Sequence, residues 1–417
     1  MKIALLTFLD VANFGANLQA ASTYNYLTNH GHEVVAINYK SCKTVAEQRL
    51  SQYKRRLCKQ PLPIQNIAHK KFVAEEIFNQ SVELHMCSQV ADYIKNNGFD
   101  GVIIGSDAVA QHWPWFSTLK MGKQRPLWIE PLQRERRFPN PFWGIGFADS
   151  VPTAMMSVSS QNSKYQKFST FTLRHMASQL DKMKYISVRD AWTRKMMLEA
   201  NSALSIEVTP DPVFALNQNL GEKIPREESV RSKFKLPKKY VLIGLRSQVF
   251  SVDELREMNT LFLKQGMECV AFCIDGRYNY QHPFNYQIPL PLNPLDWFGL
   301  IKYASAYIGS NMHPIVSALT NGVPCYSIDN WGAVDFWGHK TNDGSSKVYD
   351  VLTQYGITEY RTQLNQGQSG VSPREIVQKL ASFPTEKVRA ISAKRVEIYN
   401  QMMQNILASF VASQKGK

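Results

Sequence analysis

The sequence predicts an α/β chain built from two parallel-sheet domains that face one another across a cleft, with a C-terminal helical segment. Three observations carry this expectation. The chain has 417 residues, well past the size at which a single hydrophobic core stops growing, so two domains are expected. The order strand, helix, glycine, strand occurs near the N-terminus and restarts in the second half, and such βαβ units impose a parallel sheet. Hydrophobic residues make up 44% and charged residues 20%, which is material for two cores and leaves little for long disordered segments.

Taken in order, residues 2 to 8 (Lys-Ile-Ala-Leu-Leu-Thr-Phe) form the first buried strand. The apolar opening is cut by Asp10 and Asn13, too soon for a signal h-region. A polar loop runs from Asp10 to Asn17, a helical pattern from Leu18 to Asn29 ends at His30-Gly31-His32, and Glu33 to Tyr39 supplies the next strand. Gly101 to Ile104 and Tyr185 to Val188 read as further buried strands. Asn217 to Lys238, charged and carrying Pro225 and Pro237, has linker composition. The restart comprises a strand from Lys239 to Arg246, a helix from Val252 to Gln265 stopped by Gly266, and a strand from Glu268 to Ile274. Short strands follow at Ala306 to Ile308 and Pro324 to Ile328, then a long helical pattern from Pro373 to about Ser413, broken near Pro384. These boundaries give an N-terminal domain 1–216, a linker 217–238, a C-terminal domain 239–372 and a helical segment 373–417. No stretch of about 18 uncharged apolar residues occurs, so no spanning helix is expected, and a cytoplasmic location follows as the expectation.

The net charge of +14 means that some surface attracts anions. Basic residues cluster at Lys54, Arg55, Arg56 and Lys59, at Lys70 and Lys71, and at Arg134, Arg136 and Arg137. No nucleic-acid-binding signature accompanies them, which favours a phosphate-bearing or membrane-associated partner over nucleic acid and leaves peripheral contact with an anionic membrane open. The six cysteines are scattered without a CxxC pair, so buried reduced thiols are expected and neither a disulfide framework nor a metal site. HExxH, G-x-S-x-G and P-loop patterns are absent, which disfavours metalloprotease, α/β-hydrolase and nucleoside triphosphatase chemistry.

In open α/β sheets ligands bind beyond the carboxyl ends of the strands, so candidate residues are those at strand exits. After the first strand come Asn13, Gly15 and Asn17, where Gly15 permits a tight turn and the following helix N-terminus offers N–H groups to an anion; a simple Asn-capped turn explains them equally well. After the next exit, Ser106 and Asp107 offer a hydroxyl and a carboxylate that accept protons or hold a sugar hydroxyl, and are also ordinary helix caps. Arg189 follows a buried strand and suits a bidentate grip on phosphate or carboxylate; pairing with Asp190 or Asp211 for structure is the alternative. Ser310, Asn311 and His313 follow another strand and open a helix from Ile315 to Thr320, where the dipole disfavours a charged imidazole unless an anion lies nearby. Beside phosphate His313 regains its proton and becomes a general acid. His112 and His339 are weaker candidates for the cleft wall.

In this order the segments resemble the polysaccharide pyruvyl transferase family. The residues that carry the resemblance are Asn13 to Gln19 (Asn-Phe-Gly-Ala-Asn-Leu-Gln), Phe99 to Asp107, Ser187-Val188-Arg189-Asp190 with Thr209-Pro210-Asp211-Pro212, and the His313 segment with Ala318-Leu319 and Gly322-Val323-Pro324. The resemblance implies two Rossmann-like domains in the GT-B arrangement. It also implies transfer of a pyruvyl group from phosphoenolpyruvate, as donor substrate and without a cofactor, to a sugar hydroxyl pair of a glycan or lipid-linked acceptor. It implies further that His313 protonates the donor methylene, that Arg189 holds donor anionic groups, and that Asp107 lies near the acceptor. Several members carry an Arg two residues before the histidine, where this chain has Asn311, so the donor phosphate has one charged partner fewer. A nucleotide-sugar glycosyltransferase of the same architecture, with Asp329 or Asp335 on the ribose, and a non-catalytic member are the alternatives.

Overall fold

The computed structural model describes residues 1–9, 11–59, 64–114, 119–122, 125–129, 134–330, 332, 345–364 and 370–415. Two six-stranded sheets, each wholly parallel, organise the chain. The first uses β1 (Lys2–Leu6), β2 (Glu33–Ala36), β3 (Gly101–Asp107), β6 (Thr153–Val158), β7 (Tyr185–Val188) and β8 (Glu207–Val208), in the order β2-β1-β3-β6-β7-β8. Bridges from Ala36 to Gln80 and from Tyr39 to Leu84 extend it past β2. The second uses β9 (Tyr240–Gly244), β10 (Glu268–Ala271), β11 (Tyr286–Gln287), β12 (Ala306–Gly309), β13 (Cys325–Asp329) and β14 (Arg361–Gln363), in the order β11-β10-β9-β12-β13-β14. Between β3 and β6 lies an antiparallel pair, β4 (Leu119–Gly122) and β5 (Arg125–Ile129). Strand order reverses beside β1 in the first sheet and beside β9 in the second. These are the switch points where crossovers leave to opposite sides and open a crevice at the carboxyl ends.

The helices are α1 (Phe14–Asn29), α2 (Cys42–Leu57), α3 (Ile64–Glu76), α4 (Cys87–Asn96), α5 (Thr170–Leu180), α6 (Ala191–Ala200), α7 (Leu216–Leu220), α8 (Glu227–Phe234), α9 (Val252–Leu263), α10 (Pro294–Lys302), α11 (Met312–Thr320), α12 (Lys347–Tyr355), α13 (Pro373–Ala381) and α14 (Thr385–Lys415). α1 starts four residues before the predicted Leu18. Asn13 caps it, its Oδ1 accepting from Ala16 N at 3.1 Å, and the helix is buried from Phe14 to Leu27. A helix buried on every side has no amphipathic stripe to mark its start. The stretch read as linker holds α7, packed on α1, and α8, which Pro225 precedes and Pro237 follows.

One core runs through α1, α3, α7, strands β9, β10, β12 and β13 of the second sheet and α14, and a second fills the other face of the first sheet. α14 returns from the second half to the first sheet. Its Phe410 lies against Gly101, where a Cβ would stand 2.3 Å from the ring. Gln65 on α3 clasps the backbone of Leu292, donating to its O at 2.7 Å and accepting from its N at 2.8 Å. Together these contacts fix the two switch points opposite each other. No helix among the described residues is long and apolar enough to cross a membrane.

Candidate active site

The two switch points share one cleft of about 840 Å³. From the first sheet come Asn13 and Gly15 after β1 and Asp107 at the end of β3; from the second come Arg246 after β9 and Asn311 and His313 after β12; Lys347 opens α12. One member of each basic cluster noted in the sequence, Arg55, Lys70 and Arg136, also lines it, together with Lys40. With Arg246 and Lys347, these cations outnumber the carboxylates Glu47, Asp107, Glu135 and Asp275 on the same wall, an excess that suits an anionic ligand.

His313 is the centre of this arrangement. It occupies the first turn of α11, and its Nε2 lies 2.7 Å from the amide nitrogen of Gln19 and 3.7 Å from Asp211 Oδ2. With that amide nitrogen donating, Nε2 accepts and the ring is neutral, carrying its proton on Nδ1. Nδ1 has no hydrogen-bond partner among the described residues. Burial pushes the imidazole down to about 3; the Asp107 carboxylate opposes this, while Arg189 and Lys347 add to it. Gln19 also donates to the Asp211 carboxylate, so α1 holds both members of the pair.

Gly15 is not at a turn. It lies in the first turn of α1, and the imidazole rests on it: a Cβ there would stand 2.0 Å from His313 Cγ. The residue is glycine because the ring needs the space. Gly15→Ala is expected to lower stability by about 1–3 kcal/mol through overpacking, read as a fall in the urea midpoint; an unchanged midpoint would show that the ring has room to move.

Asp107 adopts φ +89°, and its Oδ1 accepts from Ala108 N at 2.7 Å. Asn311 has φ +77° and a buried Oδ1 without a hydrogen-bond partner among the described residues. Left-handed backbone at two non-glycine residues of one cleft is strain of the kind that gathers at functional sites. Lys347 is half-buried at the cleft wall, and its ammonium is pushed down to about 8 by lost hydration and by Arg189 and Arg246, against the pull of Asp107 and Asp211.

The remaining candidates stand elsewhere. Arg189 lies behind His313 rather than on the cleft wall: NH1 pairs with Asp211 Oδ2 at 2.8 Å, NH2 is 3.9 Å from Asp107 Oδ1, and Nε and NH2 have no hydrogen-bond partner among the described residues. The pairing with Asp211 that the sequence left open is thus formed. Ser106 and Ser310 are turned into the sheets, where Ser106 donates to Ser157 O at 2.9 Å and Ser310 to Ile328 O at 2.7 Å. Their hydroxyls tie each exit to the neighbouring strand instead of facing a ligand. Asn17 points at α3, donating to His69 Nδ1 at 2.9 Å. His112 is a core residue: its Nδ1 accepts from Phe138 N at 3.1 Å, and burial pushes it down to about 4. Asp329, a ribose candidate, is held by Arg361 at 2.9 and 3.0 Å. His339 and Asp335 lie outside the described residues.

Sequence reasoning did not single out Gln19, His69, Arg246 or Lys347. Arg246 carried a usable signal, an Arg just past a buried strand as at Arg189; Lys347 carried none beyond the Ser346 cap before it.

A family model described as polysaccharide pyruvyl transferase matches residues 13–332. The sequence matches no curated protein. Among solved structures, UDP-GlcNAc 2-epimerase from Neisseria meningitidis bound to UDP-GlcNAc is similar at 11% identity, covering 98% of this chain and 100% of that one with a TM-score of 0.53. UGT73P12 of Glycyrrhiza uralensis, complexed with glycyrrhetinic acid 3-O-monoglucuronide, is similar at 7% identity, covering 100% and 97% with a TM-score of 0.51. At such identities the likeness concerns the fold alone, which is the two-domain GT-B arrangement.

Proposed function

Because the chain belongs to the polysaccharide pyruvyl transferase family, we propose that its cleft transfers a pyruvyl group from phosphoenolpyruvate to a hydroxyl pair of a sugar, forming a pyruvate ketal on a cell-surface glycan or its precursor. The observation that carries this reading is the position of His313, an imidazole with a carboxylate behind its Nε2, an Nδ1 without a hydrogen-bond partner among the described residues, and a cleft with an excess of cations around it.

The chemistry divides among these residues. Lys347 and Arg246 hold the donor's phosphate and carboxylate, and Asn311 donates a hydrogen bond to them from Nδ2. The phosphate, once bound, restores a proton to His313, and Asp211 stabilises the imidazolium through Nε2. His313 gives its proton to the donor methylene, which becomes the methyl group, and positive charge develops on the adjacent carbon. A sugar hydroxyl bonds to that carbon and loses its proton to Asp107. The carbon–oxygen bond to phosphate then breaks, phosphate leaves with the proton from Asp107, and the second hydroxyl closes the ketal while its proton returns to His313.

Phosphate release from phosphoenolpyruvate in the presence of a glycan panel tests the reading. Release that depends on one acceptor is the expected result, together with protection from thermal unfolding by phosphoenolpyruvate and none by nucleotide sugars. Protection by nucleotide sugars alone would transfer the site to a glycosyltransferase, and protection by neither to a non-catalytic role.

A further inference from the structure

One helix of the fold presents a long face without a partner among the described residues. α2 has no buried residue, and its two sides differ in character. Thr44, Gln48, Ser51, Gln52 and Arg55 line the cleft. At about 3.6 residues per turn, the opposite side carries Leu50, Tyr53 and Leu57, exposed to 53%, 61% and 65%. Arg49 and Arg56 border this apolar stripe on one edge and Lys54 on the other, and none of the three forms an ion pair among the described residues.

We propose that α2 docks the protein onto an anionic lipid surface. Leu50, Tyr53 and Leu57 enter the headgroup region, and Arg49, Lys54 and Arg56 meet lipid phosphates. An exposed helix with a narrow apolar stripe, a bordering row of cations and an interfacial tyrosine has the form of a helix that lies in the plane of a membrane. The charge selects the occupant, since the chain carries +14 overall and the cations stand on both borders of the stripe. A second copy of the chain fits poorly. Pairing α2 with α2 brings like charges together, and three side chains fall short of the about 800 Å² per partner that a standard interface buries. Docked in this way, the cleft lies one helix diameter, about 10 Å, from the lipid surface, within reach of a sugar carried on a lipid phosphate. That consequence rests on the pyruvyl-transfer reading; the docking itself does not.

Co-sedimentation of the full chain with vesicles of phosphatidylcholine alone, and of phosphatidylcholine with one third phosphatidylglycerol, tests the proposal without any donor or turnover. Binding is expected to the second composition only and to weaken with salt. Replacing the cations together (Arg49→Gln, Lys54→Gln and Arg56→Gln) should weaken binding on the order of a hundredfold, about fivefold per charge near an anionic surface. Leu50→Asp with Tyr53→Asp and Leu57→Asp should weaken it at least as much, and phosphate release onto a soluble acceptor should be unchanged in both variants. Failure to bind the anionic vesicles, or binding undiminished in either variant, overturns the proposal. So does a dimer in the wild type that the apolar variant dissociates, because the face then belongs to a second copy.

Discussion

His313→Ala is expected to lower phosphate release from phosphoenolpyruvate by about 100- to 10,000-fold, the contribution of a positioned general acid, while thermal unfolding stays cooperative. The fold should survive because the imidazole rests on Gly15 at the cleft wall and supports no strand. The same residue predicts a proton linkage. Burial holds the free-enzyme imidazole at about 3, so at pH 7 it is neutral, and a bound phosphate dianion raises it. Donor binding near neutral pH therefore takes up a proton. The uptake fades as pH rises above the pKa of the complex, and fades again only as pH falls toward 3, where the free enzyme is already charged. Calorimetry in buffers of different ionisation enthalpy reads this uptake, and the His313→Ala protein supplies the reference for the donor's own phosphate. A variant that keeps more than half of the wild-type rate would remove His313 from the mechanism.

Much of this site was legible because strand exits in a parallel sheet converge, so a short polar motif after each buried strand points to one place. His313, Asp107, Asn311, Asn13 and Gly15 line a single cleft although they come from three separate exits. What the exits do not reveal is direction. Ser106 precedes Asp107 by one residue and Ser310 precedes Asn311 by one, yet the serines bond into the sheets while their neighbours face the cleft. Along extended backbone successive side chains alternate sides, and sequence alone does not say which parity is inward. β6 escaped notice for a different reason. Its residues Thr-Ala-Met-Met-Ser-Val are buried throughout but are poor in β-branched and aromatic side chains, so only its central place in the sheet makes it a strand. Gln19 shows the third limit, because a buried polar residue on a helix reads as ordinary until its partners, Asp211 and His313, arrive from distant parts of the chain.

Asp211→Ala is expected to cost about 3–5 kcal/mol of stability, the scale for stranding a buried charge, measured as the loss in unfolding free energy in urea. Asp211 is 1% exposed. It pairs with Arg189 NH1 at 2.8 Å, accepts from Val213 N at 3.0 Å and from Gln19, and stands 3.7 Å from His313. Removing it leaves the Arg189 guanidinium, itself 4% exposed, with Asp107 at 3.9 Å as its one remaining ion-pair partner among the described residues and with Asp190 acting from further off. Removing both partners tests the cause. If the cost is the uncompensated charge, Asp211→Ala with Arg189→Met should recover most of the lost stability, because an apolar chain of similar length fills the space without a desolvated cation. If the double variant is as unstable as the sum of the singles, Asp211 acts through its bonds to Gln19 and Val213 instead, and Arg189 is no part of its energetics. Donor affinity in Arg189→Met separates the other possibility. Since the guanidinium stands behind the imidazole rather than in the cleft, the substitution should change the rate through His313 more than it changes donor affinity, whereas a large loss of donor affinity with an intact rate at saturation would bring Arg189 into direct contact with the donor.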